Sequence, residues 1–456
     1  MYTFELQIPR VVLAGATSGV GKTSITCAII HALQKKGYSV QPFKVGPDYI
    51  DPSYLSTISG KNTVNLDVWL MGKNQLLDSF VSNSRSDISV IEGVMGFYDG
   101  FGGDSNVAST HHVSSITKSP VILILDASKT ARSIAAVTLG FIKFHNNSRI
   151  RGIILNKIGS KKHEILCRQA LEKTKLPIIG VIPKNPEIDL KSRHLGLIPT
   201  VEDTALEQKI KKISKIISDF LDIDKIIQIT KDLPSLKTLQ RKNYKKPITT
   251  IAVALDNSFN FYYRDNLEAL KREGSKLTFF SPIHDKDLPK SDGIYIGGGF
   301  PEILGDALEK NHSMKKRIKQ FSEENHPVYA ECGGLMYLTK SIDNGKKKYK
   351  MIGLLDAETL MTKKMKLNYT QGKMIKSNVL SNKKHIFQSH EFHYSNLESI
   401  SSDSKFAYEL KIGEGIKNHL DGMLQYNTLA SYGHLYFDRS DYAKSFVENC
   451  LKASRI

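Results

Sequence analysis

The sequence predicts an α/β protein of two domains, and three observations carry that reading. Short β-branched runs alternate with longer segments of helical spacing through the first half, the pattern of a parallel, doubly wound sheet. A polar, lysine-rich stretch with two prolines, Lys231–Pro247, breaks the alternation. A second alternation starts at Thr250, and 456 residues is ample length for two domains.

In chain order, Val11–Ala14, Val40–Lys44, Ile88–Ile91, Val121–Leu125, Ile153–Leu155 and Ile178–Val181 read as buried strands of the first sheet. Asp203–Ile223 reads as an amphipathic helix with Leu206, Ile210, Ile213, Ile217 and Phe220 on one face and lysines on the other, a packed connector. After the linker, Thr250–Leu255, Leu277–Phe280, Gly293–Ile296 and Pro327–Ala330 read as strands and Arg264–Glu273 as a helix. Lys340–Met351 and Lys363–Lys384 are basic and look like loops or hairpins, and no fixed-period repeat is visible. The expected domains are 1–200, a connector and linker over 201–247, a second domain over 248–442 and a tail over 443–456.

Lys and Arg number 64 against 46 Asp and Glu, a net charge of +18. That excess fits nucleic acid, anionic lipid, a polyanionic small molecule or simply a lysine-rich surface. No RNP-type aromatic pattern or helix-turn-helix supports nucleic acid. No apolar run approaches the roughly 20 residues of a spanning helix. MYTFELQIPR lacks a basic segment followed by an apolar core, so a cytoplasmic location is expected. Cys27, Cys167, Cys332 and Cys450 lie far apart with no CxxC pair, which argues against a zinc site or disulfide framework.

The strand Val11–Ala14 runs into Gly15-Ala16-Thr17-Ser18-Gly19-Val20-Gly21-Lys22-Thr23 and then an apolar helix, the context a phosphate-binding loop requires. Backbone N–H groups at Gly19 and Gly21 and the helix N-terminus bind phosphate, Lys22 reaches the β/γ-phosphates, and the Thr23 hydroxyl can ligate Mg²⁺. Ala16 stands at the motif's first glycine, with Gly15 one position early. ATP and Mg²⁺ are therefore the expected cofactors.

Asp48 and Asp51 follow the strand ending at Lys44 on a Gly/Pro-shaped loop that faces the crevice of a parallel sheet; alternatively they cap turns. Glu92 ends the next strand where many proteins with such loops carry an acid at Mg²⁺, and Asp99 lies in the glycine-rich segment after it. Thr23, Glu92 and Asp48 are the expected metal-side residues. Acids at two strand ends beside one phosphate loop, Asp48, Asp51, Glu92 and Asp99, make a metal–phosphate site, with Tyr49 and Ile50 between the two loop aspartates. Asn156 is a candidate to read the adenine edge, and Arg193-His194-Leu195-Gly196 to close the site. His111 and His112 point apart whether on helix or strand, so a surface or capping place is expected rather than joint metal ligation.

In the second half, Glu331-Cys332-Gly333-Gly334 puts a cysteine on a strand-to-helix turn, with its thiolate favoured by the helix N-terminus. N–H groups of Gly298, Gly299 and Gly333 are candidates for an oxyanion hole, and His434 for the base. A Cys–His pair that frees ammonia from glutamine, downstream of an ATP site, implies ATP-driven amide formation.

The chain resembles the cobyrinate a,c-diamide synthase family, which joins a dethiobiotin-synthetase-like ATP domain to a class I, triad-type glutamine amidotransferase domain. The matching stretches run in family order: ATSGVGKT (16–23), KVGPDYIDP (44–52), NLD (65–67), EGVMGFYDG (92–100), RHLGL (193–197), FNFYYRDNLEAL (259–270), GGGFPE (297–302), AECGGLMYL (330–338), HEFHYS (390–395) and ASYGHLYF (430–437). The resemblance implies Cys332 as nucleophile, His434 as its base and Asp48, Asp51, Glu92 and Asp99 as functional carboxylates. It also implies amidation of the a and c acetates of a cobyrinate-type tetrapyrrole through acyl phosphates, in cobalamin biosynthesis. ATP, glutamine and the macrocycle are then the partners, with no nucleic acid or membrane, and a homodimer is compatible with that reading. Two departures stand out. Leu55 replaces a frequent His, and Tyr436 stands where related amidotransferases place Glu, so His434 is oriented by another group or works in a dyad.

Nickel-sirohydrochlorin a,c-diamide synthase is the alternative within the family; KVGPDYIDP fits cobyric acid synthase less well. A partitioning or septum-positioning ATPase is the alternative from another class, but those carry Lys at the position of Thr17 and lack the Cys/His half. An ammonia-only ligase with an inactive glutaminase half is a further reading.

Overall fold

Seven apolar runs in the first half pair side by side in parallel, and their carboxyl ends form one edge. The computed structural model describes residues 3–188, 204–239, 243–382 and 384–454; Arg193, His194, Leu195 and Gly196 fall outside them. The chain divides into two units, Met1–Arg241 and Lys242–Ile456.

The strands of the first unit are β1 (Arg10–Gly15), β2 (Val40–Val45), β3 (Val64–Leu66), β4 (Ile88–Gly96), β5 (Val121–Asp126), β6 (Ile150–Ile158) and β7 (Ile178–Pro183). Their order across the sheet is β3-β2-β4-β1-β5-β6-β7, every pair parallel. Six of them are the expected strands. The three-residue edge strand β3 is too short to show a period. Val11, Leu13, Val90, Ile122 and Ile124 are buried and pack with Ile25 and Ile29 of α1 (Lys22–Lys35).

The expected connector helix forms over Thr204–Ser218, and Ile210, Ile213 and Ile217 join the same core. It stops at Ser218 because Asp222 caps a new helix, Ile223–Ile229, by accepting from the Lys225 N–H. Part of the expected linker is ordered: Leu236–Leu239 pairs antiparallel with Thr3–Leu6, and Leu236 is buried. His111 corrects the surface expectation. It is buried, with its ring against Phe97, Tyr98 and His145, because helix Thr110–Ile116 turns that side inward.

In the second unit, β8 (Thr249–Ala254), β9 (Ser275–Phe280), β10 (Gly293–Ile296) and β11 (Val328–Glu331) are followed by β12 (Glu358–Met374), β13 (Ile386–Glu398), β14 (Lys405–Ile412), β15 (Leu420–Gln425), β16 (Thr428–Ser431) and β17 (His434–Leu435). The parallel part runs β9-β8-β10-β11-β16. It continues antiparallel through β15, β14 and β12 to β13, which also pairs β17. The basic stretch at 340–351 is a hairpin of Ser341–Asp343 and Lys348–Lys350, and most of 363–384 belongs to the long strand β12. All four cysteines are free and buried. Among the described residues no helix is long and apolar enough to cross a membrane.

Candidate active sites of the two units

In the first unit, β1 feeds the glycine-rich loop and α1 opens at Lys22, with Gly21 left-handed at φ 91° before it. A Cβ on Gly15 would lie 2.7 Å from the Val20 side chain and 2.8 Å from the Thr17 carbonyl. The loop therefore needs its glycine there, one position earlier than the usual spacing. Asn156, at the end of β6, donates from Nδ2 to the Val20 carbonyl at 2.8 Å and accepts the Lys157 N–H at 2.9 Å. Its amide is engaged in bracing the loop. Lys22 Nζ donates to the Met95 carbonyl at 2.6 Å, and Met95 itself holds a positive φ of 42°. Asp99 turns back to accept the Gly96 N–H at 2.9 Å.

Asp48, Asp51, Glu92 and Thr23 converge, and the group at their centre is Lys44. Register explains this: Lys44 of β2 stands opposite Glu92 of β4. The Lys44 side chain is 2% exposed; its ammonium donates to Glu92 Oε1 at 2.7 Å and to Asp51, and lies 3.7 Å from Asp48 Oδ2. Burial would lower its pKa, but Asp51, Glu92 and Asp48 lift it well above the ordinary lysine value. Burial and the Asp51 charge push Asp48 up, whereas Asp51 is pulled down by Lys44 against the effect of its own burial. The loop is pinned by Asp48 Oδ1 accepting from the Ile50 N–H at 2.8 Å and by Asn65 Nδ2 donating to the carbonyls of Gly46 and Asp48. Asp48 is thus both turn former and cluster member. Tyr49 and Ile50 lie half-buried between the two acids.

Thr23 Oγ1 donates to Glu92 Oε1 at 2.9 Å, and Glu92 Oε2 is buried without a hydrogen-bond partner. A hydroxyl beside an orphaned carboxylate oxygen fits a hard cation that takes oxygen ligands. Asp48 is committed to Lys44 and the loop, and no cluster of three or more His, Cys, Asp or Glu side chains poised for a metal occurs among the described residues.

In the second unit, β11 ends at Glu331 and Cys332 takes φ 49°, ψ −102°, a strained conformation for a side-chain-bearing residue that aims its sulfur out of the turn before helix Gly333–Leu338. Its N–H donates to the Ser431 carbonyl at 2.8 Å and its Sγ to the Phe392 carbonyl at 3.4 Å. The backbones of Gly299 and Gly333 abut: a Cβ on Gly333 would lie 2.9 Å from the Gly299 nitrogen. A Cβ on Gly298 would lie 2.8 Å from His434 Cε1, so only glycine lets the imidazole close against this segment. Cys332, His434, Gly298, Gly299 and Gly333 are brought together.

The thiol is not lowered as the helix N-terminus suggested. Burial, then Glu302, Glu331 and Glu391, push it well above the usual cysteine value, and the Gly333 N–H opposes them only in part. A base must take its proton.

The group behind that base is Glu331. Its Oε2 lies 3.3 Å from His434 Nδ1 and accepts from Tyr295 Oη at 2.8 Å. Its Oε1 accepts from Tyr329 Oη at 2.6 Å and from the Leu435 N–H at 3.1 Å. Tyr436 is turned away, donating to Asp265 Oδ2 at 2.8 Å. Asn266 fixes the same segment by donating to the Leu435 carbonyl and accepting the Phe437 N–H. A cysteine, an imidazole and a carboxylate in this order are equipped for nucleophilic attack on an amide.

Sequence reasoning missed Lys44 and Glu331. The available signal was the same for both: a charged residue at the end of an otherwise apolar strand, a place that only a partnered charge tolerates.

Two family models match the chain: the CobQ/CobB/MinD/ParA nucleotide binding domain over residues 11–198 and the CobB/CobQ-like glutamine amidotransferase domain over residues 250–442. Among curated relatives, the cobyrinate a,c-diamide synthase of Methanosarcina barkeri is 40% identical over 97% of this chain and 96% of its own length. That of Methanosphaera stadtmanae is 41% identical over 94% of this chain and 95% of its own length. That of Listeria innocua is 41% identical over 94% and 96%. With a nucleotide-binding half and an amidotransferase half matched along nearly the whole chain, this protein belongs to the cobyrinate a,c-diamide synthase family of glutamine-dependent carbon–nitrogen ligases.

Proposed function

We propose that the chain amidates the a and c acetate carboxylates of a cobyrinate-type tetrapyrrole, using ammonia from glutamine and activating each carboxylate as an acyl phosphate with ATP. One observation carries the reading. A phosphate loop flanked by the Lys44 acid cluster occurs in the same chain as the Cys332–His434–Glu331 arrangement. A carboxylate resists direct attack by ammonia, so a chain that frees ammonia in one unit has use for a phosphoryl-transfer site in the other.

In the second unit, His434 takes the thiol proton and Cys332 attacks the glutamine amide. Backbone N–H groups of Gly299 and Gly333 support the oxyanion, His434 returns the proton to the departing ammonia, and water activated by the same imidazole then cleaves the thioester to glutamate and the free thiol. Glu331 holds the proton on His434 Nδ1, leaving Nε2 for that transfer. In the first unit, Lys22 and the loop N–H groups bind the ATP phosphates while the substrate carboxylate attacks the γ-phosphorus and expels ADP; ammonia then displaces phosphate from the acyl phosphate. Thr23 and Glu92 would hold Mg²⁺, which when bound supplies neutralising charge at the phosphates. Lys44 holds Asp51 ionised and opposes the burial that lifts Glu92, and Asp48, the acid pushed upward, is suited to take a proton as ammonia adds to the acyl phosphate. Tyr49 and Ile50, between Asp48 and Asp51, would contact the macrocycle.

The test is isotopic. Cobyrinate carrying oxygen-18 in its carboxylates is turned over with ATP and glutamine, and the released phosphate is examined by mass spectrometry. One oxygen-18 atom per amide formed supports the acyl phosphate; unlabelled phosphate rejects it.

A further inference from the structure

Beside Cys332 lies a buried pair that the chemistry above does not use. Glu391 and His393 occupy the same face of β13, on either side of Phe392, whose carbonyl accepts from the Cys332 thiol. They are 0% and 4% exposed. Glu391 Oε1 is satisfied by Asn368 Nδ2 at 3.1 Å, but Oε2 has no hydrogen-bond partner. His393 Nδ1 faces the Ser395 carbonyl at 2.9 Å, so it carries the ring proton, and Nε2 is a buried lone pair without a partner. The ring cannot swing away. It stacks on Tyr432 with centroids 3.7 Å apart and planes 6° from parallel.

Oε2 and Nε2 stand 3.9 Å apart, both acceptors and too distant to bond one another. Burial lowers His393 by more than Glu391 raises it, which favours the neutral ring, without a second proton to close the gap. Two buried acceptors facing each other are costly unless a donor joins them. A single nitrogen placed to one side of the gap can sit about 2.9 Å from both atoms. A group with several N–H donors, no acceptor and a positive charge suits an anion paired with a lone pair.

We propose that Glu391 and His393 form an ammonium subsite next to the nucleophile, taking either the α-ammonium of glutamine or the ammonium ion released from its amide. The proposal rests on Cys332 being the glutaminase nucleophile, and a separate variant tests that premise. The full chain is assayed for ammonium release from L-glutamine and from glutaramate, the same amide without the α-amino group, together with inhibition by ammonium chloride.

If the α-ammonium is the ligand, Glu391→Gln raises the KM for glutamine about 10- to 100-fold, the value of a charge-assisted hydrogen bond, and leaves the KM for glutaramate where it was. If the released ion is the ligand, the KM for glutamine holds and inhibition by ammonium chloride weakens by the same factor. Should Glu391→Gln not fold, wild-type protein decides the matter. Preference for glutamine over glutaramate, or saturable inhibition by ammonium chloride, supports the subsite; equal kcat/KM with no inhibition overturns it. A folded Glu391→Gln within twofold of wild type on every measure also overturns it, the pair then holding water only. Cys332→Ala separates the two claims, because residual glutaminase in that variant removes the premise rather than the subsite.

Discussion

Replacing Glu331 by Gln tests the orientation of His434 with almost no change of volume. The carboxylate oxygens receive Tyr295 Oη and His434 Nδ1 on one side, and Tyr329 Oη and the Leu435 N–H on the other. An amide keeps one acceptor oxygen, so one side meets an NH₂ group whichever way it turns. If that side is His434's, Nδ1 must become the acceptor and the ring proton moves to Nε2, the atom needed to take the thiol proton. Loss of an oriented general base costs about 10²–10⁴-fold in rate, and the fall is expected in kcat for ammonium release. The KM for glutamine should hold, because Glu331 reaches the substrate only through His434. Glu331→Asp, which keeps the charge, should recover part of the rate, and synthesis from ammonium salt should stay at the wild-type level. A folded Glu331→Gln with glutaminase kcat within twofold of wild type would refute the reasoning.

Four further outcomes are expected. Cys332→Ala and His434→Asn should each lose glutamine-dependent synthesis while keeping synthesis from ammonium salt; loss of both in a folded variant contradicts the division of labour. Thr23→Ala and Glu92→Gln should depress synthesis with either nitrogen source, and at least one should need more Mg²⁺ in a titration. Asp48→Asn or Asp51→Asn should cut amide yield by orders of magnitude with nucleotide affinity near normal, since Asn caps a turn almost as well as Asp; near-normal yields from both return the loop to a purely structural role. Lys44→Met should cost about 3–5 kcal/mol by urea unfolding, because it strands Glu92 as a buried, uncompensated charge. Asp48, raised to about 7, and Glu92 are lifted by burial and so favour the neutral form. The Lys44→Met deficit should therefore be largest near about pH 8 and shrink toward about pH 5 as these acids take up protons.

The first sheet was legible because six of its strands are β-branched runs buried on both faces, a pattern visible without any contact information. β3 escaped because three residues carry no period, and the break at Ser218 escaped because Asp222 as a cap looks like one more polar residue on a lysine-rich helix. At the sites, Gly19, Gly21, Lys22 and Thr23 were readable from loop chemistry, and Cys332 from the glycines that follow it. The partners that come from register were not. Lys44 meets Glu92 only because β2 and β4 align them, and Glu331 meets His434 only because β11 and β16 lie in parallel beside the turn into β17. The high thiol pKa was likewise hidden, since Glu302 and Glu391 approach Cys332 from distant parts of the chain.

The most direct test of the account supplies cobyrinate, ATP, Mg²⁺ and glutamine labelled with nitrogen-15 in its side-chain amide, and weighs the macrocycle by mass spectrometry. The expected product has two carboxyl OH groups replaced by labelled NH₂ and forms only when ATP is present. A single amidation at completion, unlabelled amide nitrogen, or amidation without ATP would contradict it.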